Sequence, residues 1–375
     1  MNKLRSHGKL WYEVENVGEI YSPSLLIYPD RIERNIEKMI RIAGSIDKLR
    51  PHVKTHKMSE IVRLQMKHGI NKFKCATISE TEMVARCGAD DILLAMQPVG
   101  PNIERFLRLK KTFPKANISC IADDENVIRN LSAMAVENDI EINIWLDINN
   151  GMNRTGVTPD AEASGLYRLI NSLPMLKAEG LHVYDGHVQE NDINARQESC
   201  NEAYNKVLKL TEELEKSGTA QIKIIAGGTP SFPIHANRLN VECSPGTILL
   251  WDYKSSDSYP DMEFLHAAIL LTRIISKPGS DLICLDLGHK AVASEMVQPR
   301  VKFFGIKNYT IINHNEEHMV IRTNEADNFK VGDIIYGIPF HICPTVDRYD
   351  NVSVITGHIC TARWKVEARS REITI

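Results

Sequence analysis

Along about the first 260 residues, β-branched and apolar runs alternate with stretches of helical composition, and this alternation constrains the fold more than any other feature. The runs fall at 25–28, 49–54, 72–77, 92–96, 118–122, 142–148, 178–184, 222–226 and 241–247. Between them lie segments such as 31–43, whose Ile32, Ile36, Met39, Ile40 and Ala43 share one helical face. Segments 59–68 and 80–87 read similarly, and 192–217 carries enough charge for a long, partly exposed helix. Strand, helix, strand repeated this often implies a parallel sheet with right-handed crossovers. Nine runs exceed the eight of a (β/α)8 barrel by one. The surplus one is expected to be 25–28, set beside the barrel, with 241–247 as the last barrel strand.

After about residue 260 the texture changes. Short β-like runs follow at 267–275, 282–287, 298–306, 309–312, 318–323, 334–338, 352–355 and 363–368, punctuated by KPGS, KVGD and RYDN. That is the pattern of an all-β domain. The expected architecture is therefore α/β: a TIM-like (β/α)8 barrel over 20–260, followed by a C-terminal all-β domain over 261–375. Residues 1–19, including Trp11 and Tyr12, fit neither pattern and are expected to pack with the second domain. The 375-residue length accommodates a barrel with an appendage.

Composition closes off other classes. A hydrophobic fraction of 43% with 25% charged residues is that of a globular protein. With 45 basic against 48 acidic residues the net charge is −3, which argues against nucleic acid as the partner. The N-terminal segment lacks an apolar h-region, and no apolar run approaches the ~18 residues that cross a bilayer. A cytoplasmic protein with no membrane partner is expected. The eight cysteines are scattered without a CxxC, and reduced thiols are the expected state.

In such barrels, active-site residues sit at the C-terminal ends of the strands, and phosphate is often held after strands seven and eight. The run RPHVKTHK places Lys54 at such an end. A lysine held out of water there can form an imine with a carbonyl, although a plain surface lysine fits the fragment equally. AGGTP puts Gly227, Gly228 and Thr229 after the seventh barrel strand, and SPGT adds Gly246 and Thr247 after the eighth. Glycines let backbone N–H groups approach an anion, and threonine adds a donor; a simple turn is the alternative. WLDINNGMNRTGV brings Asp147 and Arg154, with Gly151 and Gly156 bracketing the loop. Arg154 could meet a phenolate-type oxygen or cap a helix. GLHVYDGHVQ offers Tyr184 and His187, with Tyr184 either lining a planar cofactor or packing at the rim. In FHICPTVDRYD, an extended strand would put His341 and Cys343 on one face as a zinc-type pair. The tripeptide recurs as His358-Ile-Cys360, so at least one copy serves another purpose.

Taken in order, PHVKTHK, NRTGV, YDGH, AGGTP, SPGT and HICPTV resemble the D-threonine aldolase and D-serine dehydratase family, over about residues 20–370. These are fold-type III pyridoxal-phosphate enzymes related to the alanine racemase barrel, with a metal site. The resemblance implies that Lys54 holds pyridoxal 5'-phosphate covalently. It implies that Gly227, Gly228, Thr229, Gly246 and Thr247 surround the phosphate, that Arg154 meets the phenolic oxygen, and that Tyr184 lies near the pyridine. His341 and Cys343 would bind a divalent metal (zinc, or manganese or magnesium), and His358 and Cys360 are left to core or strand-face packing. Dehydratases of the family resemble this chain in their His-x-Cys pair. Aldolases often carry His-x-Asp, while the following PTV looks more like theirs.

The implied activity is that of a lyase on D-β-hydroxy-α-amino acids, with D-threonine aldolase first. A dehydratase of D-serine or D-3-hydroxyaspartate is the alternative, followed by a racemase and a non-catalytic pyridoxal-phosphate carrier. A racemase needs a second acid/base, which no motif supplies, and a carrier would resemble the barrel alone. The preference for D substrates and the expected homodimer come from the resemblance only.

Overall fold

The computed structural model describes residues 5–6, 9–216, 218 and 221–375. The chain folds into two compact units. One holds the residues up to Asn35 together with Thr247–Arg369; the other holds Ile36–Gly246 and Ser370–Ile375.

Apart from a two-residue ladder between Arg5–Ser6 and Lys9–Leu10, the first strand is β1 (Ser24–Ile27), followed by α1 (Pro29–Ala43). In α1, Ile32, Ile36, Met39 and Ala43 are buried, as their spacing requires, and Ile40 is half-buried. The second unit then alternates α2 (Ser59–Lys67), β2 (Lys72–Cys75), α3 (Ile78–Arg86), β3 (Asp91–Leu94), α4 (Pro101–Thr112), β4 (Asn117–Ala122), α5 (Glu125–Asn138) and β5 (Ile142–Ile148). It continues with α6 (Ala161–Ser172), β6 (Leu176–Val183), α7 (Ile193–Lys216), β7 (Lys223–Ala226), α8 (Phe232–His235) and β8 (Val241–Cys243). The expected end of the long charged helix at residue 217 lies outside the described residues. Local chemistry sets the helix starts: the side chains of Thr77, Asp124 and Asp160 accept first-turn N–H groups, and Pro101 opens α4.

Strands β2 to β8 form one parallel sheet in sequence order. Residues 49–52 close it, because Leu49 bridges Cys243 of β8 and His52 bridges Lys74 of β2. Arg50 N donates to Cys243 O, His52 N to Pro245 O and Lys74 N to Pro51 O, each at 2.9 Å. The eighth stave is thus the expected run at 49–54, shortened where Val53–Thr55 turns into one 3-10 turn. Inside, the N-terminal ends carry a charged layer. Arg50 holds both carboxylate oxygens of Asp91 (2.8 and 2.9 Å) and one of Glu242 (2.7 Å), and Lys72 holds the other oxygen of Glu242 (2.7 Å). Leu93, Ile121, Trp145 and Ile225 fill the interior as an apolar cluster.

The other unit is all-β apart from short helical turns. After α9 (Tyr253–Ser258) come β9 (Ala268–Gly279), β10 (Leu282–Leu285), β11 (Val301–Phe303), β12 (Thr310–His314) and β13 (Met319–Arg322). β14 (Ile334–Pro339), α10 (Ile342–Val346), β15 (Asn351–Thr356) and β16 (Ile359–Lys365) complete it. The nine-stranded sheet runs β12-β13-β10-β9-β1-β15-β16, with β14 pairing β9 and β11. All eight β-like runs expected after residue 260 thus contribute strands.

Two expectations are corrected. The surplus strand belongs to the sheet of the β unit. β1 pairs antiparallel with β9 and parallel with β15, because the buried Leu25, Leu26 and Ile27 suit a central strand covered on both faces. Compactness divides the chain after Asn35 and after Gly246. Finally, His341 and Cys343 do not lie on a strand: His341 is extended but caps α10, which contains Cys343.

Trp11 and Tyr12 do pack within the β unit, against a core that includes Val14, Ile20, Leu26, Tyr28, Ile269 and Ile338. Tyr12 stacks on Phe304 with ring centroids 4.0 Å apart. In the second HIC tripeptide, Cys360 lies on β16 and packs partly buried against this core, as expected, whereas His358 serves a turn. His358 (φ +69°) turns the β15–β16 hairpin, and its Nδ1 lies 2.9 Å from Glu13 O, while Cys360 N donates to Asn16 Oδ1. It fastens residues 13–16.

Candidate active site

At the C-terminal ends of the barrel strands, three cations surround one aromatic ring. Lys54 Nζ lies 5.8 Å from the Tyr184 ring centroid, Lys74 Nζ 5.5 Å, and the Arg154 guanidinium carbon 4.7 Å. Lys54 follows the closing stave, and His52 Nδ1 accepts its backbone N–H. Tyr184 follows β6 and is half-buried, whereas Arg154 stands on the exposed loop after β5. Sequence reasoning missed Lys74. Its signal was alternation: in KFKC, Phe73 and Cys75 point outward to the helices, so Lys72 and Lys74 point inward.

Beneath this group Asp147 Oδ1 meets His182 Nδ1 at 2.6 Å, both fully buried. Burial pushes His182 down, helped by the Lys74 charge, and Asp147 only partly offsets this. Burial alone would raise Asp147, but His182 outweighs it and keeps the carboxyl below its ordinary value. The pair is therefore a neutral imidazole donating Nδ1–H to a carboxylate. His182 Nε2 is buried with no hydrogen-bond partner among the described residues.

The glycines form a cradle, with Gly228 beside Tyr184. Gly227 has φ +72°, and an added Cβ would stand 2.6 Å from Ser231 Oγ; one on Gly228 would stand 3.1 Å from Tyr184 Cε2. Thr229 Oγ1 accepts the Gly246 N–H at 3.2 Å, so the turns after β7 and β8 are tied together. Below them runs a buried network that sequence reasoning also missed. Gly228 N donates to Ser231 Oγ, Ser231 Oγ donates to Asp185 Oδ1, and His235 Nε2 meets Asp185 Oδ2 at 2.7 Å. Arg238 Nε donates to His235 Nδ1, so the imidazole is fixed on both sides.

Asp185, His235 and Cys200 also have the residue types of a metal site, with ligand atoms within 4.8 Å of one another. As they stand they form a hydrogen-bonded group. Tetrahedral ligands spaced around an ion at about 2.0–2.3 Å would sit well over 3 Å apart, not 2.7 Å. Burial, with Asp185 beside it, pushes the Cys200 thiol up to about 12, away from the thiolate a metal needs.

His341 and Cys343 are brought together in the β unit. Burial would lower His341, but its hydrogen bond to Cys343 and the Glu295 carboxylate, 2.6 Å from Nδ1, hold it up at about 9. Glu295 is a third donor that no motif announced. Thr247 belongs to this unit, with Oγ1 3.8 Å from Cys343 Sγ.

The barrel residues fit pyridoxal phosphate. At Gly227 and Gly246 a Cβ would stand within 3.0 Å of its neighbours; among the described residues the cations around the flat ring have no bound anion, and His182 Nε2 is buried without a partner. The thiol, imidazole and carboxylate of Cys343, His341 and Glu295 form a donor set that suits a divalent metal.

Comparison with known proteins bears on both units. The family profile "Alanine racemase, N-terminal domain" matches residues 27–253, and "Putative serine dehydratase domain" matches 267–355. The chain is 28% identical over 359 residues to a D-threonine aldolase of an Arthrobacter species, covering 94% of each. It is 29% identical over 366 residues to a 3-hydroxy-D-aspartate aldolase of Paracoccus denitrificans, covering 94% of this chain and 93% of the relative. A solved D-threonine aldolase from Filomicrobium marinum superposes with a TM-score of 0.87 at 25% identity, covering 94% of this chain and 97% of that one. The inward lysines, the glycine cradle and the matched residues 27–253 converge on one conclusion: this chain belongs to the alanine racemase N-terminal domain family.

Proposed function

We propose that the chain is a pyridoxal-phosphate- and divalent-metal-dependent lyase of D-β-hydroxy-α-amino acids, cleaving D-threonine to glycine and acetaldehyde. The carrying observation is the barrel mouth, where Lys54, Lys74 and Arg154 surround Tyr184 beside a cradle of glycines. The aldolase activity of the two relatives supports the reading.

The chemistry supplied by the bound pyridoxal ring is electron withdrawal from the substrate's Cα, and that supplied by a divalent metal is Lewis acidity toward a β-hydroxyl. The rest belongs to the chain. Lys54 offers the amine for covalent attachment, and in this reading the turns that carry Gly227, Gly228, Thr229 and Gly246 would surround a phosphate, with the Thr229 hydroxyl as a side-chain donor. Arg154 would meet an anionic oxygen of the ring, and Tyr184 would lie near the ring. The His182–Asp147 pair keeps a neutral imidazole there, with its Nε2 lone pair able to accept a hydrogen bond. In the β unit, His341, Cys343 and Glu295 are the donors for the metal. Thr247 is assigned to the phosphate by resemblance alone.

The test is to give the purified protein D-threonine, D-serine and L-threonine separately. Acetaldehyde with glycine from D-threonine alone is the expected result. Pyruvate with ammonia from D-serine would instead make it a dehydratase, the reading that the His-x-Cys pair favours. Neither product overturns the lyase. The resemblance further suggests a homodimer, which sedimentation at micromolar concentration checks.

A further inference from the structure

Among the described residues, the buried lysines and arginines of the barrel unit have hydrogen-bonded partners, with one exception. Arg50 holds Asp91 and Glu242, Lys57 Nζ lies 2.8 Å from Glu80 Oε1, and Arg196 Nη1 donates to the carbonyl oxygens of Glu190 and Asn191. Lys74 is just as enclosed, at 4% exposure. Yet among the described residues no hydrogen-bond acceptor or carboxylate lies within bonding distance of its Nζ. Its surroundings add to the demand for an anion. Lys54 and His52 face it from residues 52–54, Asp147 and Arg154 from β5 and its loop, and His182, Tyr184 and Asp185 from β6 and its loop. The two carboxylates are engaged elsewhere, Asp147 with His182 and Asp185 with Ser231 and His235. Unpaired charge of this kind is expensive to bury.

We propose that Lys74 is a further anion-binding residue of the barrel mouth, whose amine takes up a proton from solvent as an anionic ligand enters and then holds that anion. The family resemblance assigns Lys54 and Arg154 to the ligand but nothing to Lys74. Geometry provides the site: Lys74 and Gly228 of the cradle lie against the same Tyr184 ring. The electrostatics agree, since burial first, then the Lys54 and Arg154 charges, bring Lys74 down to about 7, with Asp147 and Asp185 partly compensating. His52 and His182 are both pushed down by burial, so they stay neutral at these pH values.

The probe is sulfate, a dianion that does not itself titrate near neutrality. Calorimetric titration of the ligand-free protein in buffers of different ionisation heat reads proton uptake directly. Uptake close to one proton at pH 8 is expected, with sulfate binding about tenfold weaker at pH 8 than at pH 6. K74M should lose the uptake and the pH dependence and bind sulfate weakly throughout. K74R, charged at every pH, should keep the binding and lose the uptake. Uptake that persists in both variants, wild-type affinity in K74M, or no sulfate binding to the parent chain would overturn the proposal. K74M removes a buried unpaired charge and should fold, so it decides the matter even if K74R does not fold. Sulfate binding needs no turnover, so this result and the lyase reading stand or fall separately.

Discussion

An added methyl at Gly246 would stand 2.9 Å from the carbonyl oxygen of His52, whereas at Gly228 it would meet only the edge of Tyr184. The backbone of the closing stave cannot step aside, but a half-exposed tyrosine can turn. G246A should therefore weaken pyridoxal-phosphate binding about ten- to a hundredfold, the size of an overpacking cost of about 1–3 kcal/mol, and G228A by less. Absorbance titration of the cofactor checks the order of the two. Lys74 adds a prediction of its own. Its pKa is lowered in the folded chain to about 7, so between about pH 7 and the ordinary lysine value the unfolded chain binds the extra proton. The wild-type chain then gains stability as pH rises through that window, on the order of 1 kcal/mol per pH unit, relative to K74M. Urea unfolding at pH 6 and pH 9 should show K74M ahead by more at pH 6; a constant gap would remove the buried charge from the account. Residues of this kind divide in legibility. Lys54, Tyr184 and the glycines announce themselves by standing at strand ends. Lys74, His182 and Asp185 needed knowledge of which strand face turns inward, and Glu295 lies 46 residues from the histidine it touches.

At the scale of elements, the barrel depends on a stave with almost no ladder of its own. Residues 49–52 are held by single bridges on each side and by Arg50, whose guanidinium is fully buried against Asp91 and Glu242. R50M should destabilise the chain by about 3 kcal/mol, at the low end for a broken buried pair because Asp91 keeps 25% of its side chain in water. Adding D91N to R50M should recover part of that loss, since Glu242 keeps Lys72 and no unpaired carboxylate then remains; chemical denaturation of the parent, the two single variants and the double variant measures both. The alternation of strands and helices was readable because each apolar run is short and each helix is amphipathic. The placement of β1 was not. SLLI carries no period that distinguishes a barrel flank from the centre of a mixed sheet, and its partners β9 and β15 lie more than 240 residues away. The HIC repeats failed for a related reason. His341 caps a helix and His358 turns a hairpin, so a strand-based rule for side chains two apart applied to neither.

The whole molecule is two units with different chemistry. The barrel unit holds amines, glycines and an aromatic ring, and the β unit holds a thiol, an imidazole and a carboxylate. If the cofactor belongs to the first set and a divalent metal to the second, their losses should separate. K54A should abolish the visible absorbance of bound pyridoxal phosphate along with activity. Treatment with a chelator, or H341A, should abolish activity while leaving that absorbance unchanged, and added divalent metal should restore only the chelated wild-type protein. H358A should do neither, because that imidazole contacts Glu13 O and lies in a hairpin turn. Its expected effect is a modest loss of stability, about 1 kcal/mol for one hydrogen bond. A chelator that bleaches the absorbance would place the metal with the cofactor set instead. A chelator without effect on turnover would remove metal from the reaction and leave His341, Cys343 and Glu295 as a hydrogen-bonded group like Asp185, Cys200 and His235.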